Sequence, residues 1–437
     1  MNIKPIYMRI ISITCLSFML SLVNAQAPDV PSPGPPQKGK IYLTHATVHT
    51  GDGKVLNNAT IGFENGKIIF LEENPTFKTD ETMGQIIDCA GKHIYPGLIA
   101  ANTALGLVEI DAVRATVDYA ETGDFNPDAR AIVAYNTDSR VTPTIRSNGV
   151  LFAQTAPLGG WISGTSAIVQ LDAWNWEDAL MKEDGISMNW PSMFRYKGGA
   201  AARYETNKDY DKDIQMLKDY FADAKSYQEA GTHAKTNLRF EAMKGLFTKQ
   251  LNLYVSVNYV QEILNAIAFA ESFNVQVAIV GGKDSYMIAD VLAQKKVPVI
   301  LAPTHQLPTY ADEDITQPYK TPAALQKAGV LFCLSIGDGS WPNRNLMFQA
   351  GTAVANGLTK EEALAMVTSS VAKIVKLDDR IGTLAKGKDA SLIVSTGDVL
   401  DMKTSNIELA FISGRKIDLN NKQKALNEKF SKKYGVN

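Results

Sequence analysis

Tyr95-Pro96-Gly97-Leu98-Ile99-Ala100-Ala101-Asn102-Thr103-Ala104-Leu105-Gly106 is the stretch on which the reading of this chain turns. Leu98 to Ala101 is an apolar run that suits a strand buried on both faces, set off by Pro96-Gly97. Asn102 and Ala104 follow with one residue between them, a spacing that puts both side chains on one face of an extended chain.

Outward from this strand the chain alternates. Val150 to Gln154 and Ala167 to Leu171 read as strands, and another lies near Leu253. Tyr259 to Ser272 puts Val260, Ile263, Leu264, Ile267 and Ala268 on one helical face. Strands at Val275 to Val280, Val297 to Ala302 and Val330 to Ile336 alternate with helices capped at Asp284 and running over Pro322 to Ala328. Thr359-x-x-Glu362 is a capping box for a helix running toward Val375. This rhythm predicts right-handed βαβ units and a parallel sheet. Seven barrel strands can be placed, and the eighth is expected between Asp172 and Leu251. An open doubly wound sheet fits the rhythm too, but no glycine-rich dinucleotide fingerprint accompanies it.

Both ends are β-rich. Lys40 to Thr50 reads as a strand, and Asn65-Gly66 is a strong two-residue hairpin signal between Ala59 to Phe63 and Lys67 to Leu71. Ala390 to Ser395 is a further strand, and Glu408 to Ile412 pairs with Lys416 to Leu419 across Ser413-Gly414. The expected fold is therefore α/β. A TIM-like (β/α)8 barrel over 96–384 carries a composite β-sandwich from 40–95 and 385–420, followed by a tail over 421–437.

Three further stretches carry a family resemblance. Asp88-Cys89-Ala90-Gly91-Lys92-His93 running into Tyr95-Pro96-Gly97-Leu98-Ile99 resembles the crossing from sandwich into barrel in the amidohydrolase superfamily. Glu362 to Thr368 with Ala372-Lys373 resembles its last barrel helix, and Ile381-Gly382-Thr383 to Asp389-Ala390 its return into the sandwich. The imidazolonepropionase-like branch, which hydrolyses cyclic amides and related C–N bonds, is the nearest in flavour. The resemblance implies His-x-His at positions 102 and 104, where Asn and Ala stand. It implies His at the end of strand five, where Ser256 or Asn258 falls, and at the end of strand six, where Gly281 or Gly282 falls. It implies an aspartate after strand eight, matched by Asp338 in Gly337-Asp338-Gly339.

A hydrolase of C–N bonds with a degenerate metal site is the first functional expectation. A catalytically silent homologue that binds a small ligand or a related amidohydrolase is the second. No cofactor is assigned; a single divalent metal such as zinc is the one allowed for, and its presence would favour the enzyme over the silent homologue. Asp338 and His305, which follows the strand ending at Ala302, are the candidate catalytic residues. Asn102, Glu109, Arg114, Arg146, Trp174 and Trp176 are the candidate substrate-binding residues, and the glycine-rich loop Gly159 to Thr165 is a further pocket element. His45 and His49, four apart on the first strand, read as partly exposed residues of one face. His93 reads as structural and His233 as a solvated loop residue.

Charge is nearly balanced, with a formal net charge of −2. No basic run suggests nucleic acid, and no second apolar stretch is long enough for a bilayer. A small-molecule substrate or ligand, with a second copy or a related amidohydrolase as oligomeric partner, is the expected company. Cys89 and Cys333 read as buried thiols more readily than as one disulfide, because a domain this large needs no staple. Lys4 and Arg9, the apolar run Ile10 to Val23 and the site Val23-Asn24-Ala25 read as a secretory signal over 1–25, followed by a Pro-rich linker over 26–39. Export to a periplasm is expected, with no membrane association after cleavage. N-terminal sequencing of the exported protein should begin at Gln26. A start at Met1, or a lipid on Cys15, would contradict the assignment.

Overall fold

The computed structural model describes residues 30–75, 84–198, 203–337 and 339–436. The signal segment and Asp338 lie outside the described residues.

The terminal segments join in one eight-stranded sheet. The first part supplies β1 (Ile41–His49), β2 (Val55–Glu64), β3 (Lys67–Glu73), β4 (Gln85–Asp88) and β5 (His93–Pro96). Asn65 and Gly66 both take positive φ, 50° and 78°, as a type I′ turn between β2 and β3 requires. His45 sits at φ 60° in an irregularity of the β1–β2 pairing. The two histidines of β1 are thereby separated. His45 is exposed and pairs with Asp88, whereas His49 turns inward onto Glu361 and His93.

The barrel begins at β6 (Leu98–Thr103) and continues through β7 (Val150–Thr155), β8 (Ile162–Gln170) and β9 (Leu180–Asn189). A hairpin of β10 (Phe194–Lys197) and β11 (Arg203–Thr206) interrupts it. β12 (Asn252–Val257), β13 (Val277–Gly281), β14 (Val299–Leu301) and β15 (Phe332–Leu334) complete eight strands in sequential order. The strand expected between Asp172 and Leu251 is β9. Its apolar half, Gly185 to Met188, follows the charged run Lys182-Glu183-Asp184, which hides its start.

One strand departs from the parallel pattern. β8 runs antiparallel to both β7 and β9, because only residues 156–161 link β7 to β8. A parallel crossover needs a dozen residues or more, so the chain can only turn back.

The seam between β15 and β6 is bridged by a broken helix. The capping box at Thr359 opens Lys360–Ala365 as expected, but the helix stops and resumes at Ser369–Ile374. In the gap, the Met366 carbonyl accepts from Leu334 N–H and the Val367 carbonyl from Ile99 N–H. Those carbonyls close the barrel instead of continuing the helix.

The last strands, β16 (Leu392–Ser395), β17 (Ile407–Ile412) and β18 (Arg415–Lys416), return to the terminal sheet, where β16 lies antiparallel to β5. Their alternation serves two cores. Leu392 and Val394 face the sheet's own cluster with Ile41, Leu43 and Ile94, while Ile393 joins the barrel core. Period-2 alternation makes one strand the wall between two hydrophobic interiors. Segment 30–38 is not a free linker. Gly34 N–H donates to Asp172, its carbonyl accepts from Arg415, and Gln37 accepts from Gly66 N–H. The tail carries a helix over Lys422–Tyr434, and Cys89 and Cys333 are buried free thiols.

Sheet and barrel should therefore unfold together. Ile393→Ala and Leu392→Ala face opposite cores, and each should cost about 2–5 kcal/mol in urea denaturation, within one transition. Two separated transitions would show that the units fold independently.

Candidate functional site

In a barrel of this kind, chemistry is built at the carboxyl ends of the strands. The first such position is Asn102, whose φ is +46°. Asparagine tolerates this left-handed conformation better than most residues. The twist shifts the β6–β7 register between Ala100 and Thr103, and Asn102 N–H leaves the ladder to donate to Gln154 Oε1 at 3.0 Å. Ser335 Oγ, just past β15, donates to the Asn102 carbonyl. Asn102 is thus a bend in the strand held from both sides.

Ala104 packs with Leu107, Val108 and Ala131 in a small apolar cluster. The tight turn at Gly106 brings the Tyr135 ring over its Cα, where a β-carbon would lie 2.3 Å from the ring. Ser340 Oγ donates to the Ala104 carbonyl, and Asn343 Nδ2 donates to Thr103 Oγ1 from a fully buried position. Apolar packing and side-chain hydrogen bonds cover the end of β6.

The ends of β12 and β13 meet closely. Asn258 directs its Oδ1 at Gly281, 2.6 Å from where a β-carbon would stand. The amide occupies the space a ligand side chain on residue 281 would need. Asp284 is fully buried; it accepts from Tyr310 OH at 2.7 Å, and burial raises its carboxyl above the usual range. Among the described residues, no group of three or more His, Cys, Asp or Glu is arranged to hold a metal ion. The described residues alone do not assemble a divalent centre of the expected type.

Inside the barrel a polar network spans the strands. Asp184 of β9 is fully buried. It accepts from Gln154 Nε2 at 2.7 Å, Ser166 Oγ at 2.8 Å and Tyr254 OH at 2.5 Å. Burial pushes its carboxyl up, and the three donors pull it back. Asn252 Nδ2 donates to Tyr254 OH and to the Ile374 carbonyl. A β-carbon on Gly185 would meet the Tyr254 ring at 2.4 Å, so glycine there admits the phenol. Sequence reading missed this network. Gln154, a polar residue inside Val150-Leu151-Phe152-Ala153-Gln154-Thr155, was its one visible signal.

The candidate binding residues scatter. Arg146 and Asp172 are a buried ion pair at 2.5 Å below the barrel, joined by Arg415 at 3.1 Å. Trp174 is 68% exposed, and Trp176 packs on the core nearby. They lie at the base because β8 runs backwards, and the same reversal carries the Gly159 loop to the mouth. There the Gly160 carbonyl accepts from Asn189 Nδ2. Arg114 caps its own turn through the Val117 carbonyl, and Glu109 braces Asn136 and Arg140 N–H. His305 is exposed and hydrogen-bonded to Thr352 Oγ1 at 2.6 Å. His233 stacks on Tyr227 instead of standing free in solvent.

The Amidohydrolase family profile matches residues 339–415. An amidohydrolase from Thermotoga maritima is 25% identical, with a TM-score of 0.75 over 86% of this chain and 99% of that one. An adenosine deaminase from Xanthomonas campestris with bound zinc is 13% identical, with a TM-score of 0.53 over 92% of this chain and 99% of that one. A prolidase complexed with N-methylphosphonate-L-proline is 15% identical, with a TM-score of 0.53 over 87% of this chain and 99% of that one. No curated protein matches. A (β/α)-barrel entered and left through a sheet shared by both termini is the architecture this chain has in common with the Thermotoga amidohydrolase, and its residues 339–415 match the Amidohydrolase family.

Asp184→Ala should destabilise the protein by about 3 kcal/mol or more, because it strands three buried donors. Asp184→Asn, which sets an amide donor against those donors, should cost about 1–3 kcal/mol. Urea midpoints measure both. An unchanged midpoint for the alanine variant would mean that the network is not a stabilising element.

Proposed function

We propose that this protein is a catalytically silent amidohydrolase homologue, descended from hydrolases of C–N bonds, that binds a small ligand or a related amidohydrolase. Secretion to a periplasm, read from 1–25, is part of the same proposal. One observation carries it: the strand ends where metal ligands would stand are filled by packed groups. Ala104 lies in an apolar cluster, and the Asn258 amide occupies the space beside Gly281. Metal-assisted hydrolysis needs ligands in fixed geometry with an open position for water. Packing of this kind supplies neither. Ancestry sets the reaction class only as a prior, so the site outweighs the fold in this reading.

The test combines elemental analysis with a turnover panel of cyclic amides and dipeptides. The purified protein should hold less than one equivalent of transition metal, melt at the same temperature with chelator, and turn over none of the panel. Two bound ions per chain would overturn the proposal. Chelator-resistant turnover lost in Asp338→Asn would instead support a metal-free enzyme using that carboxylate, a route worth about 10²–10⁴-fold. Turnover that survives Asp338→Asn and falls in His305→Ala would assign the base to His305.

A further inference from the structure

The C-terminal helix, Lys422–Tyr434, buries none of its residues against the rest of the protein. Its root is nonetheless fixed. Asn421 caps it by accepting from Lys424 N–H and donates to Ser147 Oγ, and Gln423 accepts from Thr144 Oγ1. The helix is therefore held in place with its faces in solvent.

Its exposed residues are not randomly placed. Leu426, Phe430 and Tyr434 recur every four residues, so they share one face. They are 40%, 46% and 67% exposed, and Val436 beyond them is 60% exposed. At its root Leu426 lines a groove of about 570 Å³ together with Trp341, the exposed Ile110 and the charged Glu109, Asp138 and Arg140. A stable helix that keeps a continuous apolar stripe in water has its counterpart elsewhere.

Charge selects the counterpart. The helix carries Lys422, Lys424, Lys429, Lys432 and Lys433 against Glu428 alone, net +4, in a chain whose formal net charge is −2. Lys429 Nζ lies 6.0 Å from the Phe430 ring centroid and Lys433 Nζ 5.1 Å from that of Tyr434. Each cation thus flanks an aromatic that would enter an apolar layer, the arrangement of an interfacial helix with snorkelling lysines. A second copy meeting this face would set +4 against +4.

We propose that the C-terminal helix is a docking surface for an anionic lipid bilayer. Leu426, Phe430 and Tyr434 enter the headgroup boundary while the lysines meet lipid phosphates. The helix lies on the surface; no helix among the described residues is long and apolar enough to cross a membrane. The proposal departs from the expectation of no membrane contact after signal cleavage, and it holds whether or not the barrel is catalytic.

Co-sedimentation of the mature chain with vesicles tests it. Binding to phosphatidylcholine–phosphatidylglycerol vesicles should exceed binding to phosphatidylcholine alone by about tenfold or more, and high salt should remove it. The double variants Phe430→Ser with Tyr434→Ser, and Lys429→Glu with Lys433→Glu, should both lose binding with unchanged melting temperatures, because neither pair is buried. Absence of binding to the anionic vesicles, or binding that persists in both double variants, overturns the proposal. Concentration-dependent dimerisation abolished by Phe430→Ser with Tyr434→Ser, without vesicle binding, overturns it in favour of a second copy as the occupant.

Discussion

The barrel is organised around Asp184, a carboxyl buried where no charge is tolerated unless it is hydrogen-bonded. Its three donors come from β7, β8 and β12, and through Gln154 the network reaches the β6 backbone at Asn102. Ser335 completes the path from the end of β15. The network ties these strands together by hydrogen bonds. Several local choices follow from that arrangement. Glycine stands at 185 because the Tyr254 ring needs the space, and Asn102 takes a left-handed bend because its N–H is aimed at Gln154.

Reversal of β8 is the second constraint. A link of six residues cannot carry a crossover, so the third strand runs from mouth to base. The carboxyl end of that strand, with Asp172, Trp174 and Trp176, is delivered to the base of the barrel. There Asp172 becomes the anchor for Arg146, Arg415 and the backbone of Gly34. A group that reads as pocket lining is a structural clasp between the strap at 30–38, the barrel and the last hairpin.

The two units are coupled by alternation, not by a discrete interface. β16 presents Leu392 and Val394 to one core and Ile393 to the other, and Phe411 and Ala410 on β17 repeat the division. A β-carbon on Gly149 would lie 2.8 Å from the Ile393 side chain, so the barrel approaches this strand closely. Burial on both faces leaves no surface along which sheet and barrel could slide apart.

Local signals determined much of this protein from sequence alone. Apolar runs gave seven barrel strands, Asn65-Gly66 gave the first hairpin, Thr359-x-x-Glu362 gave a helix start, and three motif stretches gave the family resemblance. Each depends on residues adjacent along the chain, and adjacency is what a sequence records. That Asn102, Ala104 and Gly281 or Gly282 stand where the resemblance implies ligands was legible for the same reason. Only the tertiary structure decided what fills their places. That Asn258 lies against Gly281, and that Ala104 packs on Leu107, Val108 and Ala131, depends on which loops meet over the mouth. The strand at β9 was hidden because Lys182-Glu183-Asp184 looks solvated, whereas Asp184 is buried against partners 18, 30 and 70 residues away. Direction of β8, the closure of the barrel through Met366 and Val367, and the turning of His305 onto Thr352 were equally out of reach. Each rests on contacts between segments distant in sequence, whose energies no local pattern contains.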